Sequence, residues 1–413
     1  QPKKIRNEGD GAKLISSNDS ENFTYKGRFA TKEEAFAIGY EDSQKVHNAL
    51  KWILRKQGGN YDSLYFVTWE SDLHDMPGWP DGSDRILEKG KDRNRIDGQA
   101  GVEERSDRGD ESDFDEEIDL DDEVDVDEEG VPQTGAAQAA RLRRAIRGYG
   151  KFLSPSSRTV IMAFDAATTG RLAIMEYKDY ASSRYLQALE KWQERCFWRH
   201  QKVGKQKGRY TYYGMVGVKD AAELLYGTEE KGKGYFSMKG KEERYKYVAQ
   251  RWMPCILEGR AVPEDMVNLA VRRASSPVSF DSRFLWERIL TLACSLVKQQ
   301  YEKRFKEVWT MALDETCTKR DYLYGRLLAV ADRIEYRTYS KEYAKGKKAD
   351  EEKKDKESGR ETNAKRYMSA FSQHPFRTWK IIEEKLEPYL VRLDAGERIA
   401  YQNLANEVYE KFT

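Results

Sequence analysis

Residues 321–335 read DYLYGRLLAVADRIE and residues 362–379 read TNAKRYMSAFSQHPFRTW. In the first stretch Leu323, Leu327, Val330 and Ile334 recur at helical spacing, which sets them on one face of an amphipathic helix. Gly325, lacking a Cβ, lets another backbone come close. The second stretch opens on a polar turn, carries Arg366 and Tyr367 side by side, and restarts a helix at Pro375, a residue suited to a first helical turn. Outward from this pair, everything from Pro263 reads as helix. A long run over 281–309 places Phe284, Ile289, Leu292, Leu296 and Phe305 on one stripe, and helices over 319–338, 375–393 and 396–412 follow, interrupted by a mobile Lys/Glu-rich spacer at 341–361. Short connections favour antiparallel packing, so residues 263–413 are expected to form a helical bundle.

Upstream the pattern is mixed. Residues 1–87 read as an α/β part, with a helix over about 31–57, a strand at 65–69 and a Gly/Pro-punctuated loop at 77–82. Residues 88–135 are polar and acidic and read as a disordered insertion. Residues 136–262 resume the α/β part. A basic helix at 136–148 precedes two strand-like runs, TVIMAF (159–164) and RLAIMEY (171–177), joined by DAATTG as a β-hairpin. A helix at 181–200, a basic aromatic loop at 201–214 and a helix at 241–258 complete it. The fold class expected is α+β: a mixed N-terminal part with a hairpin and a small antiparallel sheet, then the helical bundle.

With 413 residues, the chain is long enough for two or three domains, yet 35% of it is charged against 39% apolar. The net charge of +1 conceals an uneven distribution. Residues 103–129 hold seventeen acidic residues and two arginines, while the remainder carries 70 basic against 54 acidic residues. A body with an excess of sixteen positive charges suits a polyanionic partner, because each neutralised phosphate releases condensed counterion. Cys196, Cys255, Cys294 and Cys317 fall singly on apolar helical faces, a pattern of reduced core thiols in a cytoplasm rather than of disulfides or zinc. No apolar run approaches membrane-spanning length and no signal peptide opens the chain. The start at Gln1 reads as a fragment or processed end.

Two segments are candidates for nucleic-acid contact. RLRRAIRGYGK (141–151) sets Arg141, Arg144 and Lys151 along one helical face with Arg143 and Arg147 beside it. The face either follows a phosphate backbone or is simply solvated. RHQKVGKQKGRYTYY (199–213) interleaves Lys202, Lys205, Lys207 and Arg209 with Tyr210, Tyr212 and Tyr213. Cations grip phosphates while rings stack on unpaired bases, unless the tyrosines tuck into the core as a strand. KGKGYFSMKGK (231–241) is a weaker candidate, and Arg272 and Arg273 end a helix whose dipole they could merely complement. Asp165 followed by Glu176 and Lys178 has the D…E-x-K spacing of magnesium-dependent nucleases, a spacing also common without any activity. GTEEKGKG (227–234) lacks the Ser or Thr a phosphate loop needs, and His47, His74, His200 and His374 show no ligand spacing; neither a cofactor nor a metal is expected.

The order YKGRF (25–29), IGYEDSQK (38–45), HNALKW (47–52), YFVTWE (65–70), DAATTGRLAIMEY (165–177), PEDMVNLAVRR (263–273), Trp286 with Arg288, GRLLAV (325–330), and finally Asn363 with Arg366 and Tyr367 resembles the large-subunit family of the type I-C (Dvulg subtype) CRISPR Cascade complex. The resemblance runs from about Tyr25 to about Leu393. Glu335 departs from a more usual glutamine, Trp379 from phenylalanine, and Leu292–Ala293–Cys294 lacks an expected basic residue. Family members are usually longer, so the N-terminal portion that reads the short motif beside the target is expected to be missing.

The resemblance implies a non-catalytic subunit of an RNA-guided surveillance complex in a prokaryotic cytoplasm. Its implied partners are the CRISPR RNA-bearing Cascade backbone and handle-binding subunits, target double-stranded DNA with its displaced strand, and a helicase–nuclease. It also implies that the C-terminal bundle is small-subunit-like and can be made alone from an internal start, of which Met266 preserves the bundle better than Met311. A magnesium-dependent nuclease and a stand-alone nucleic-acid-binding scaffold are the alternatives. The acidic run is either a solvated insertion or a decoy that competes with DNA for the basic surface. Under the solvated-insertion reading, deleting 103–129 leaves affinity for random-sequence DNA at low salt unchanged; a rise in a binding titration marks the decoy.

Overall fold

A computed structural model describes residues 39–90, 131–168, 171–204, 208–346 and 361–412, with short pieces at 5–6, 11–12, 28–31 and 34. The acidic run 103–129 and most of the charged spacer, 347–360, lie outside the described residues. The chain divides into two units: 1–227 with 238–263 and 298–308, and 228–237 with 264–297 and 309–413.

In the first unit, helix α1 (Tyr40–Gln57) leads into strands β1 (Gly59–Tyr61) and β2 (Leu64–Glu70), joined by a two-residue turn in which Asp62 takes a left-handed φ of 53°. Aspartate tolerates that region better than most residues, and such turns match the twist of a hairpin. β2 pairs antiparallel with β3 (Arg158–Thr168) and β3 with β4 (Arg171–Ala181), giving the sheet order β1-β2-β3-β4. β2 is buried on both sides. Val67 joins Phe164, Leu172 and Leu54 in one cluster, while Phe66 meets the buried Trp79 with ring centroids 5.5 Å apart. Helix α2 (Val131–Gly148) begins five residues before the sequence reading put it. Helix α3 (Ser182–Arg195) ends at Arg195 rather than 200, because residues 198 onward turn into strand. α3 buries Tyr185, Leu186, Leu189 and Trp192, and Trp192 meets Trp252 of α5 (Glu243–Leu257) edge to face at 5.5 Å.

Residues 201–204 and 208–214 are strand rather than loop. Strands β5 (Trp198–Gly204) and β6 (Gly208–Gly214) form a hairpin with Arg199 opposite Tyr213 and Lys202 opposite Tyr210. It leads into α4 (Val218–Tyr226). The Gly/Pro segment 77–83 is built against this junction. Val218 N–H donates to the Pro80 carbonyl (3.0 Å), Ser83 N–H to the Met215 carbonyl (2.9 Å), and Met215 N–H to Ser83 Oγ (2.7 Å) and Gln193 Oε1 (3.0 Å). Gly214 has φ +131°, and a Cβ there would lie 1.8 Å from Ser83 Oγ. The C-terminal end of α3 is capped by the half-buried Lys298, whose ammonium donates to the carbonyls of Glu194 (3.0 Å) and Phe197 (3.3 Å). Burial lowers its pKa.

The second unit holds strands β7 (Thr228–Glu229) and β8 (Phe236–Ser237), helix α6 (Glu264–Ala274) and most of α7 (Arg283–Phe305). It also holds α8 (Arg320–Gly346), α9 (Asn363–Gln373), α10 (Pro375–Arg392) and α11 (Ala395–Glu410), so this region is helical apart from one two-residue strand pair. Its core takes Leu323, Leu327 and Ile334 from α8, Phe371 from α9, Trp379, Ile382 and Leu386 from α10 and Val408 from α11. α8 carries on through Gly346, so the first residues of the expected spacer are helical. Gly325 faces open space; no described backbone approaches it. Phe305, expected on the apolar stripe, is 58% exposed, and Cys317 lies in the loop before α8 rather than on a helix.

Glu335 is buried where a glutamine was the expectation. Its Oε2 accepts from Asn363 N–H (2.9 Å) and Nδ2 (3.2 Å), while Thr362 caps α9 and donates to Asp332. Burial raises the Glu335 pKa against those hydrogen bonds.

Two predictions follow from the first unit. Gly214→Ala must displace Ser83 and adopt a left-handed φ, so a urea titration should show a loss of about 3 kcal/mol. Glu70 is buried and accepts from the hydroxyls of Ser157 and Ser71 and the amides of Asp72 and His74. Burial would raise its pKa, but those four donors outweigh it and hold the group low. A lowered folded-state pKa contributes stability above the unfolded carboxylate's range and loses it as pH falls through the folded value. Glu70→Gln should therefore cost about 1–2 kcal/mol at neutral pH, and its stability should fall less steeply under acid titration than the wild type's.

Candidate nucleic-acid interface

Helical geometry sorts the first basic segment. Leu142, Ile146 and Tyr149 are buried, and about 100° per residue then points Arg144 and Arg147 away from the core. Arg147 does not stand free: its guanidinium grips Glu190 of α3 through two hydrogen bonds, at 2.6 and 3.2 Å. Arg143 meets Glu194, one turn further along α3, at 3.4 Å. Arg141 is half-buried, whereas Arg144 and Lys151 are exposed, and Phe152, directly after Lys151, is 51% exposed. Arg144, Lys151 and Phe152 thus lie at the outward surface, two exposed cations and a half-exposed ring.

The β5–β6 hairpin divides the second segment by strand parity. Lys202, Tyr210 and Tyr212 share the inner face with His200, whose ring lies 5.6 Å from that of the buried Tyr212. Lys202 Nζ lies 2.8 Å from Asp84 and 2.9 Å from Asp220, and Tyr210 Oη donates to Asp84 at 3.2 Å. Burial works against the Lys202 charge, but the two carboxylates outweigh it and raise its pKa. Burial and then Asp84 push the Tyr210 hydroxyl up to about 12. These residues hold the hairpin to residues 83–90 and α4. Arg209 and Tyr213 fall on the outer face, where Tyr213 stacks on Phe197 at 6.1 Å and Arg199 is exposed opposite it. Arg199 was not among the candidates read from sequence; once the segment is a hairpin, its odd number puts it with 209 and 213. Lys205 and Lys207 lie outside the described residues.

In the second unit, Arg272 is exposed, while the Arg273 guanidinium lies 5.5 Å from the ring centroids of both Phe236 and Phe280 and has its pKa lowered by burial. Arg273 packs against rings in the interior. The segment 227–234 gives β7 rather than a phosphate loop, and its Glu229 accepts from the amides of Asp281 (2.9 Å) and Ser282 (2.8 Å) at the start of α7.

The acidic candidates are also engaged. Asp165 forms an ion pair with Lys246, and Lys178 bonds Glu258 at 2.7 Å with Glu176 3.8 Å away. Among the described residues one trio, Glu70, Asp72 and His74, brings ligand atoms within 4.8 Å of one another, a grouping the histidine spacing did not reveal. Glu70 already serves four donors there, as described above, which accounts for it as a structural anchor. Among the described residues no helix is long and apolar enough to cross a membrane.

Comparison with curated proteins finds no match. The family described as CRISPR-associated protein (Cas_Csd1) matches residues 1–413, beyond both ends of the motif series read from sequence, and the chain therefore belongs to this type I-C CRISPR-associated family.

Proposed function

We propose that this chain is a non-catalytic large subunit of a type I-C surveillance complex. In this reading it binds target DNA, stabilises the opened strands and helps recruit the helicase–nuclease. The family match over residues 1–413 carries the reading. In RNA-guided complexes the guide reads sequence by base pairing, while protein reads at most a short flanking motif and otherwise engages duplex, backbone and displaced strand. The outward cations Arg144 and Lys151, with Phe152 beside them, and Arg199 and Arg209 on the outer hairpin face are the residues suited to that work. Phosphates need accessible positive charge, and unpaired bases need an exposed ring. The ion pairs that occupy Asp165 and Lys178 give the nuclease alternative no support.

The test separates binding from folding. Arg144→Glu/Lys151→Glu should weaken binding of the assembled complex to opened target DNA about tenfold at low salt, reduce the slope of log affinity against log salt by about two, and leave the thermal melt unchanged. Lys202→Ala should do the converse. It removes the ammonium that Asp84 and Asp220 share, costing about 2 kcal/mol in a denaturant titration, without altering the salt slope. Equal salt slopes for wild type and the Arg144/Lys151 variant would remove this face from the interface. Failure to co-purify with CRISPR RNA and its backbone subunits would remove the reading as a whole.

A further inference from the structure

Helix α1 (Tyr40–Gln57) buries a single residue, Leu54. At about 100° per residue, positions 45, 49, 52 and 56 fall within about 60° of arc, and Lys45, Ala49, Trp52 and Lys56 are all exposed. Trp52 keeps 48% of its surface accessible. The cluster that Leu54 joins does not include it, so the indole is not what holds α1 to the sheet. The Lys56 ammonium lies 5.0 Å from the Trp52 ring centroid, a cation–π contact that steadies an exposed ring.

The charges around that ring are of one sign. Glu41 and Asp42 sit in the first turn, where they suit the positive end of the helix. From Ser43 to Tyr61 no further acidic residue occurs, against Lys45, Lys51, Arg55 and Lys56. None of the ion pairs among the described residues takes up Lys45, Lys51 or Lys56. A helix face that serves only solubility usually mixes signs four residues apart, and this one does not.

We propose that this face of α1 is a platform for single-stranded DNA, with an unpaired base stacked on Trp52 and neighbouring phosphates on Lys45 and Lys56. The proposal rests on the functional reading above for the source of the strand, the opened target, and adds a contact on an element that reading does not use. Lys45 lies about 10 Å and Lys56 about 6 Å along the helix axis from Trp52, on opposite sides, so a strand laid along α1 meets cation, ring and cation in turn. Ala49 puts no bulk between the first two. Every base has a π-face, so the contact is indifferent to sequence, whereas a duplex keeps its bases stacked on one another and offers the ring nothing. Protein interfaces are depleted in lysine, and the residues that share this face with Trp52 are two lysines and an alanine.

The experiment uses the full chain, with a labelled oligo(dT) strand and a duplex of equal length as probes. Trp52→Ala should weaken oligo(dT) binding about tenfold and leave duplex binding within about twofold, while Trp52→Phe, which keeps a ring, stays within about threefold of wild type. Lys45→Ala/Lys56→Ala should reduce the slope of log affinity against log salt by about 1.4, that is about 0.7 for each phosphate of a single strand. On the wild-type chain, oligo(dT) carrying 5-iodouracil should photocrosslink at Trp52, a readout that no poorly folded variant obscures. Crosslinks confined to other residues, or equal oligo(dT) affinity for wild type and a folded Trp52→Ala, would overturn the platform. The crosslink is then repeated in the assembled complex with 5-iodouracil along the displaced strand. A complex that opens its target without a crosslink at Trp52 overturns the platform and leaves the functional reading standing, whereas failure to co-purify with CRISPR RNA removes that reading and leaves the platform to the free-chain result. Loss of co-purification in Trp52→Ala with oligo(dT) affinity unchanged would make this face a protein contact and also overturn the proposal.

Discussion

Ser83 is the point on which the first unit turns. Its backbone amide, its hydroxyl and the side chain of Gln193 converge on Met215, so three segments more than a hundred residues apart in part share one buried set of hydrogen bonds. Buried donors and acceptors left without partners cost more than a made bond gains, so this contact admits few alternatives. Its geometry requires Gly214 beside it, where any side chain would collide with Ser83. The following turn of chain, carrying Asp84, then holds the inner face of the hairpin through Lys202 and Tyr210. The outward position of Arg199 and Arg209 follows, because a hairpin pinned by one face must present the other.

The second unit uses the same device with carboxylates. Asp332 and Glu335, one helical turn apart on α8, receive Thr362 and Asn363 at the start of α9. The connection between these helices passes through residues outside the description, yet its far end is fixed by charge-assisted bonds rather than by loop length. A glutamine at 335 could accept the same two bonds from Asn363. The departure from the family pattern thus leaves this contact's geometry within reach and changes mainly its charge.

How much of this was legible depended on the range of the contact. The β3–β4 hairpin and the α8 core face could be read from period and residue type, since both are local signals. The 201–214 hairpin was hidden by its glycines and lysines, which read as loop until the pairing Lys202–Tyr210 is known. The inward turn of Lys202 depends on Asp84, 118 residues away, and on Asp220 of the following helix, and the engagement of Arg143 and Arg147 depends on two glutamates of α3. Arg144, by contrast, faces outward for a reason the 3.6-residue repeat already contains, whereas Lys151 lies in the 3-10 turn Tyr149–Phe152 beyond the end of α2.

The placement of residues 228–237 bears on how the helical region could be made by itself. They group with the second unit, where Phe236 shares Arg273 with Phe280 and Glu229 satisfies two amides at the head of α7. A polypeptide initiated at Met266 would be born without either side chain. It would carry a guanidinium robbed of half its aromatic cradle and a helix entrance lacking its acceptor, so a separately translated form must find substitutes for both from water or from whatever it joins.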